Sequence, residues 1–466
     1  MYQIVTIILP VITIPYLSRV LGPSGLGEYS LTNAYAQYFI LFGMIGWSIY
    51  CSREVAYVKD EKEELCKVFW ELNILRFITM GISIILYIIV FLFIIKSNNK
   101  ELYIIQGLFL LSSLVDISWL FIGLEEFKKI ALRNTIVKIL GVIFIFIFIK
   151  NSSQVYLYAL ILGGTQFIGQ IIMWIDVPNY IKYRKPRKFK LIEHLKISFK
   201  LFIPQISINI YTTLDKIMLG VLTNDIQVGL YDNSQKIIKI LIAVVTTLAT
   251  VTIPKMSNLY KHNKMEEFKE NVYKSFSFVS FLAFPMTFGL MGVCETFVIW
   301  FYGVEFDGIK PMFYFGACIM IALSWSSILG SQVLISIKRD KIFTIAVTSG
   351  AILNIIFNFI LINKFEGVGT TISSVVAEFT GVFIMVYYIR DILDIRKLFK
   401  CIPKYFFASL FMFIIVFYLG RFLHEDILGT LIQTIVGIMT YLIIMIIIKD
   451  DNIIYIFKVL RNKIKS

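Results

Sequence analysis

Apolar stretches of about 17–25 residues recur along almost the whole chain, each bounded by charges or by Gly, Pro and Asn turns. A helix needs a run of that length to cross the ~30 Å hydrocarbon core of a bilayer. Backbone amides in lipid must also be bonded within their own segment, which a helix achieves. The pattern excludes a soluble domain of any size and predicts an all-α integral membrane protein. The spans read as 2–18, 29–50, 70–95, 102–123, 130–149, 154–177, 199–222, 228–253, 274–302, 311–337, 341–363, 367–389, 402–420 and 428–448, about 14 transmembrane helices. Barrel strands would instead show ~10-residue alternating segments. With 58% hydrophobic residues, the composition exceeds the ~45–50% apolar content of soluble domains.

A net charge of +14 fits either a nucleic-acid partner or a membrane topology. Its distribution decides between them. Of the 45 Lys and Arg, 33 fall in one alternating set of loops and 7 in the other, and the imbalance persists through every turn. By the positive-inside rule both termini are cytoplasmic, and no nucleic acid is needed to explain the charge. The most basic loop, Tyr180–Lys200, reads as a linker, with contact to anionic lipid as the second reading. The chain starts inside an apolar run, so no cleavable signal peptide is expected. Cys51, Cys66, Cys294, Cys318 and Cys401 have no CxxC or metal spacing and read as apolar filler. His194, His262 and His424 are placed in loops, with no Ser/His/Asp, metal or P-loop pattern. No enzyme and no cofactor are expected, apart from H⁺ or Na⁺ coupling.

An internal repeat is visible. Ser18–Asn33 and Asp215–Lys236 share a cation, an apolar group, a Gly (Gly22, Gly220), a short turn and a G-x-Y (Gly27/Tyr29, Gly229/Tyr231). Two six-helix lobes in the same sense follow, a parallel repeat of the kind that binds cargo between its halves. The expected organisation is an N-terminal lobe over 1–180, a basic cytoplasmic linker over 181–200 and a second lobe over 201–390. Helices 13–14 and a basic tail occupy 391–466. At TIPYLSRVLGPSGLGEYS (13–30), REVAYVKDEKEEL (53–65), DISWLFIGLEEFKKIALRNTIVKIL (116–140), LFIPQISINIYTTLDKIMLG (201–220), VGLYDNSQKIIKI (228–240), TIPKMSNLY (252–260) and WFYGVEFDG (300–308), the chain resembles the polysaccharide (O-antigen and capsule) flippases of the multidrug/oligosaccharidyl-lipid/polysaccharide exporter superfamily. The resemblance implies a MATE-like fold in a bacterial plasma membrane. It also implies translocation of undecaprenyl-diphosphate-linked oligosaccharide to the outer leaflet, with a polymerase and glycosyltransferases as pathway partners. Members of the family usually carry a short basic leader before helix 1, whereas Met1 here falls within the first apolar run.

Charges inside the spans are the candidate site, because each costs about 2.5 kcal/mol or more unless it faces protein or water. Asp215 and Lys236 lie equally far from the turn near 225, and Asp116 and Lys138 equally far from one near 127, so each couple reads as an ion pair or as two independent groups. Lys239 shares a face with Lys236 and is the sharpest candidate for a cargo contact. Lys216, Arg76 and Arg19, which stands opposite Lys216 in the repeat, complete a cationic set suited to a diphosphate. Glu378, mid-span, reads as a coupling carboxylate, as the partner of a distant cation or as a protonated acid. Tyr16, Tyr35, Gln37, Tyr38, Asn209, Tyr211, Asn233, Gln235, Asn354 and Asn358 read as a sugar lining or as interhelical bonding groups. Pro10, Pro15, Pro204, Pro254, Pro285 and Pro311 predict kinks.

The leading expectation is a flippase working by alternating access through a cationic central cavity. The runner-up, an ion-coupled multidrug antiporter, would want a net acidic cavity, whereas the spans hold Arg76, Lys138, Lys216, Lys236 and Lys239 against Asp116, Asp215 and Glu378. A membrane-embedded glycosyltransferase or polymerase would need larger outer loops.

Overall fold

The computed structural model describes residues 2–94, 99–182, 191–455 and 458, with backbone alone at 2–4, 7, 94, 191, 200, 201, 203–212 and 247–251. The core of the expected linker, 183–190, and the tail from 459 lie outside the described residues, as do the side chains of Pro204, Asn209 and Tyr211. Among the described residues every regular element is helical. By packing, the chain divides into two compact units, Met1–Gly229 and Leu230–Ser466.

The first unit holds α1 (Tyr2–Met44), α2 (Trp47–Val58), α3 (Lys62–Ile89), α4 (Lys100–Leu114), α5 (Ser118–Gly123), α6 (Phe127–Phe148), α7 (Val155–Trp174) and α8 (Leu191–Leu222). α8 packs on α1 and α2. The second unit holds α9 (Asp225–Lys261) from Leu230 onward, α10 (Met265–Tyr302), α11 (Lys310–Gly316), α12 (Cys318–Ser326), α13 (Asp340–Ile389), α14 (Ile395–Phe399), α15 (Ile402–Gly420) and α16 (Ile427–Ile447).

Breaks in the backbone divide these helices differently from the hydropathy pattern. α1 covers the spans read at 2–18 and 29–50, parted only at Gly22, where φ is 67°. Glycine carries no Cβ penalty there, and Pro23 restarts the helix with its φ already set. The second of these spans ends early, because Ile45 (φ 37°) and Gly46 (φ 72°) break the chain and release α2. The spans at 341–363 and 367–389 are one helix, α13, broken at Glu366 (φ 49°). The span at 311–337 is α11, α12 and a π-helical stretch, Ser327–Ile335. Among the described residues nine helices are long and apolar enough to cross a membrane, fewer than the spans read from sequence, and broken α13 counts once.

The surface is inverted relative to a water-soluble protein. Phe93, Phe359, Ile435 and Ile85 are more than half exposed, an apolar surface that only lipid suits. Each unit has its own aromatic core. In the first, Phe69 stacks on Trp119 at 5.5 Å beside buried Trp47, and Phe91 stacks on Tyr103 at 4.3 Å. In the second, Phe276 stacks on Trp325 at 5.5 Å and Phe281 contacts Tyr405 and Tyr441. Of the two helices outside the repeat, α16 is tied by polar bonds both to α10 and to α15. Trp300 donates to Thr430 Oγ1 (2.7 Å), Gln433 Nε2 to the Val416 carbonyl (2.9 Å), and Tyr441 to the Phe281 carbonyl (2.8 Å). Lys404 pairs with fully buried Asp450 at 2.5 Å.

On the side carrying the basic loops, a two-pronged bridge ties Arg339 to Asp391, with contacts of 3.0 and 2.5 Å. The guanidinium, through its hydrogen bonds first, holds the Asp391 carboxyl below the usual carboxylate range. A depressed acid contributes stability that is present above its unfolded value of about 4 and is lost as pH falls through the folded one. The thermal midpoint of purified Asp391→Asn should therefore fall slightly at pH 7 and match wild type in strong acid. Half-exposed, the pair is worth less than ~1 kcal/mol. A deficit that persists in strong acid would refute the assignment.

The repeat motifs meet in space. A methyl built on Gly27 falls onto the Asp225 carbonyl, and one on Gly229 onto the Pro23 carbonyl. The starts of α9 and of the second half of α1 thus cross backbone to backbone, the close approach that small residues permit in membrane helices.

Candidate functional site

The cations differ sharply in setting. Lys239 on α9 is exposed. Lys236, one turn earlier, reaches Asp232 at 2.8 Å along the same helix, and that carboxylate is 7% exposed. Arg19 is exposed, with Nη1 donating to the Pro15 carbonyl at 2.7 Å. On α8, Lys216 is half-buried and Asp215 is buried. Glu378 is half-buried on the second half of α13.

Arg76 is 0% exposed. Its Nη2 donates to the Ser113 carbonyl at 3.1 Å, the guanidinium lies 5.6 Å from the Trp119 ring centre, and Nε and Nη1 have no hydrogen-bond partner. Cargo can reach it only if the packing of α3 on its neighbours opens. Asp116 accepts from the Ser118 hydroxyl (2.6 Å) and amide (2.8 Å), and Lys138 donates to Thr6 (3.1 Å).

Three charged residues inside the predicted spans escaped the sequence reading. Asp232 was recoverable, because i, i+4 spacing from Lys236 is a helix-pair signal. Glu71, 2% exposed, meets His194 Nε2 at 3.3 Å, and His194 Nδ1 meets the Tyr50 hydroxyl at 2.5 Å. His194 therefore lies on α8, buried, and not in a loop as expected. No local pattern advertises this buried phenol–imidazole–carboxylate chain. Arg133, counted among the loop cations, lies within α6 and donates to Ser118 at 2.7 Å. Asp232 and Glu71 add to Asp116, Asp215 and Glu378, so the positive balance expected within the spans largely disappears.

Of the polar lining, Asn354 and Asn358 are 0% exposed and bond each other at 3.2 Å, and Asn354 reaches Ser374 at 3.4 Å. The first bond lies within one turn of α13, and the second joins its two halves across the break at Glu366. Tyr16 donates to the Ile149 carbonyl at 2.5 Å, Asn233 and Gln235 are buried, and Gln37 is exposed. Pro10, Pro15, Pro254 and Pro285 lie inside helices and Pro311 in the first turn of α11. Among the described residues no cluster of His, Cys, Asp or Glu could hold a metal ion.

Long apolar helices with charged and amide side chains held between them are the build of a polytopic membrane transporter. The chain belongs to the polysaccharide biosynthesis protein family, whose model matches residues 1–260. It is 22% identical to "Putative O-antigen transporter" of Escherichia coli (strain K12) over 84% of this chain and 94% of that one. With the protein of the same name from Shigella dysenteriae it shares 23% identity over 82% and 95%. In fold it is similar to the lipid II flippase MurJ in an inward closed conformation, with TM-score 0.78, 20% identity, and 97% and 99% of the chains covered. The MATE multidrug transporter DinF-BH shares the fold at TM-score 0.56 and 14% identity, over 86% and 94%.

Proposed function

We propose that this chain is a flippase of a bacterial plasma membrane. It moves undecaprenyl-diphosphate-linked oligosaccharide repeat units from the cytoplasmic to the outer leaflet by alternating access, and both termini are cytoplasmic. The observation that carries the reading is the similarity, along most of the chain, to relatives named as O-antigen transporters. The loop charge asymmetry supports the orientation. Among the candidate cations, Lys239 and Arg19 are the exposed ones best placed to meet a diphosphate, and Lys216 and Lys236 are partly accessible. Arg76 joins them only after local opening. The overall sign of the intramembrane charge does not separate this reading from a multidrug antiporter, because Glu71 and Asp232 offset the cations. The relatives' names do favour it, since the multidrug proteins are similar in fold alone.

Deletion of the gene should make lipid-linked repeat units accumulate on the cytoplasmic face and should deplete surface polysaccharide, with both restored by the wild-type chain. Normal surface polysaccharide in the deletion strain would sink the proposal.

A further inference from the structure

Two carboxylates come together where the repeat motifs cross. Glu28 follows Gly27 on the second half of α1, and Asp225 opens α9 with its carbonyl set against Gly27. Both are half-buried and both belong to the first unit, although α9 runs on into the second from Leu230. Asn99, just before α4, donates its side-chain amide to Glu28 Oε1. Among the described residues neither acid pairs with a cation. The other titratable groups facing the couple are Tyr103 and Glu101 on α4 and Tyr156 on α7. Nearby cations bond elsewhere: Arg19 to the Pro15 carbonyl, Lys100 to the Leu92 carbonyl at 3.2 Å and Lys150 to Tyr16 at 3.4 Å.

Glu28 and Asp225 both fall between the apolar runs, one after 2–18 and the other after 199–222. Burial raises the pKa of both carboxyls, and the charge of Asp225 raises that of Glu28 further. Acids that face each other titrate as a couple, which holds its first proton more tightly than either acid would alone. Ionised together, they repel across helices that touch backbone to backbone. With one proton between them the repulsion is gone, and the Asn99 bond to Glu28 remains. Parted and solvated, each acid returns to an ordinary value of about 4. The crossed form therefore binds the proton more tightly than a parted form. Parting is favoured as pH rises from about 4 through the raised value.

We propose that Glu28 and Asp225 form a proton-binding couple that latches this crossing, which holds with one proton bound and loosens once both acids ionise. Loosening frees the start of α9, where the chain passes from the first unit into the second. Proton binding here requires neither a cargo nor a direction of transport. On the orientation proposed above both turns face outside the cell, so the latch responds to external acidity. That assignment of side rests on the orientation; the experiment does not.

Hydrogen exchange of the full wild-type chain in phosphatidylcholine nanodiscs is followed between about pH 5 and pH 8, in peptides covering 22–31 and 222–231. Each rate is divided by its intrinsic rate, so that the ratio reports local opening. Protection should fall with rising pH, by up to about tenfold per unit while one proton is lost, and then level off. Glu28→Gln keeps an acceptor for Asn99 without the charge and should stay protected throughout. Asp225→Asn should flatten the profile as well, whereas Glu101→Gln, at an exposed acid of α4, should keep the wild-type one. The wild-type profile needs no variant to fold, and protection there that ignores pH overturns the proposal. So does a pH dependence that survives in Glu28→Gln/Asp225→Asn, or one that Glu101→Gln abolishes.

Discussion

Gly27→Ala should leave little folded protein in the membrane, while Gly81→Ala, on a helix of the same unit, should leave the wild-type amount or slightly more. The two glycines differ only in what a methyl would meet. At Gly81 there is nothing within 4 Å, so alanine gains the ~0.5–1 kcal/mol that a helix interior returns when glycine is removed. At Gly27 the methyl falls onto a backbone carbonyl, that of Asp225, with the Gly229 amide close behind. Overpacking against a side chain costs typically about 1–3 kcal/mol, because the side chain can turn aside. A carbonyl fixed in a helix cannot turn, so the helices must separate, and the cost should exceed that range. Gly229→Ala, aimed at the Pro23 carbonyl, should do the same. Gly220 supplies a graded case, since its methyl would meet only the flexible Leu31 side chain. Midpoints from fluorescence-detected size exclusion should rank Gly81→Ala highest, then Gly220→Ala, then Gly27→Ala. Equal midpoints for the first and last would refute the close crossing.

The same pair of glycines shows where sequence reading reaches. Hydropathy located helices well where a single lipid-facing run has polar ends, as in α6 and α7, because transfer free energy is a sum over residues and needs no partner. It misplaced ends where backbone geometry overrides composition. Ile45 adopts a left-handed conformation that nothing in an apolar run announces, and α2 therefore begins three residues before the span was expected to end. The G-x-Y repeat was visible as a pattern, but that its two copies touch was not, since contact between residues 27 and 229 depends on tertiary packing. The charges followed the same rule. Equal depth across a hairpin is arithmetic on the rise per residue, and it pointed from Lys236 to Asp215, whereas the carboxylate that Lys236 reaches is Asp232. The partner on its own helix, Asp232, followed from i, i+4 geometry and was passed over. His194 shows the opposite limit. Its partners Tyr50 and Glu71 lie 144 and 123 residues away, and a lone histidine beside a basic loop carries no local trace of them.

Lys239→Ala and Lys236→Ala should fail in different ways, although the residues sit one turn apart. Lys236 stands 2.8 Å from a carboxylate that is 7% exposed. Removing it deprives Asp232 of that charge in a medium that solvates ions poorly. Breaking such a pair costs up to ~3–5 kcal/mol when both members are buried, and less here because the lysine is partly exposed. Lys236→Ala should therefore lower the thermal midpoint, and adding Asp232→Asn should recover much of the loss. Lys239 is exposed on the same helix, so its alanine variant should keep the wild-type midpoint. If it holds cargo phosphate through a charge-assisted bond, export should fall about 10- to 100-fold, the equivalent of ~1.5–3 kcal/mol. Lys239→Arg should keep a measurable part of the activity, since the charge remains although the point contact becomes a fork. Surface polysaccharide and accumulated lipid-linked repeat units, measured beside the midpoint of each purified variant, separate the cases. A Lys239→Ala strain with normal polysaccharide would remove Lys239 from the cargo path. An unstable Lys239→Ala protein would assign it to the scaffold with Lys236.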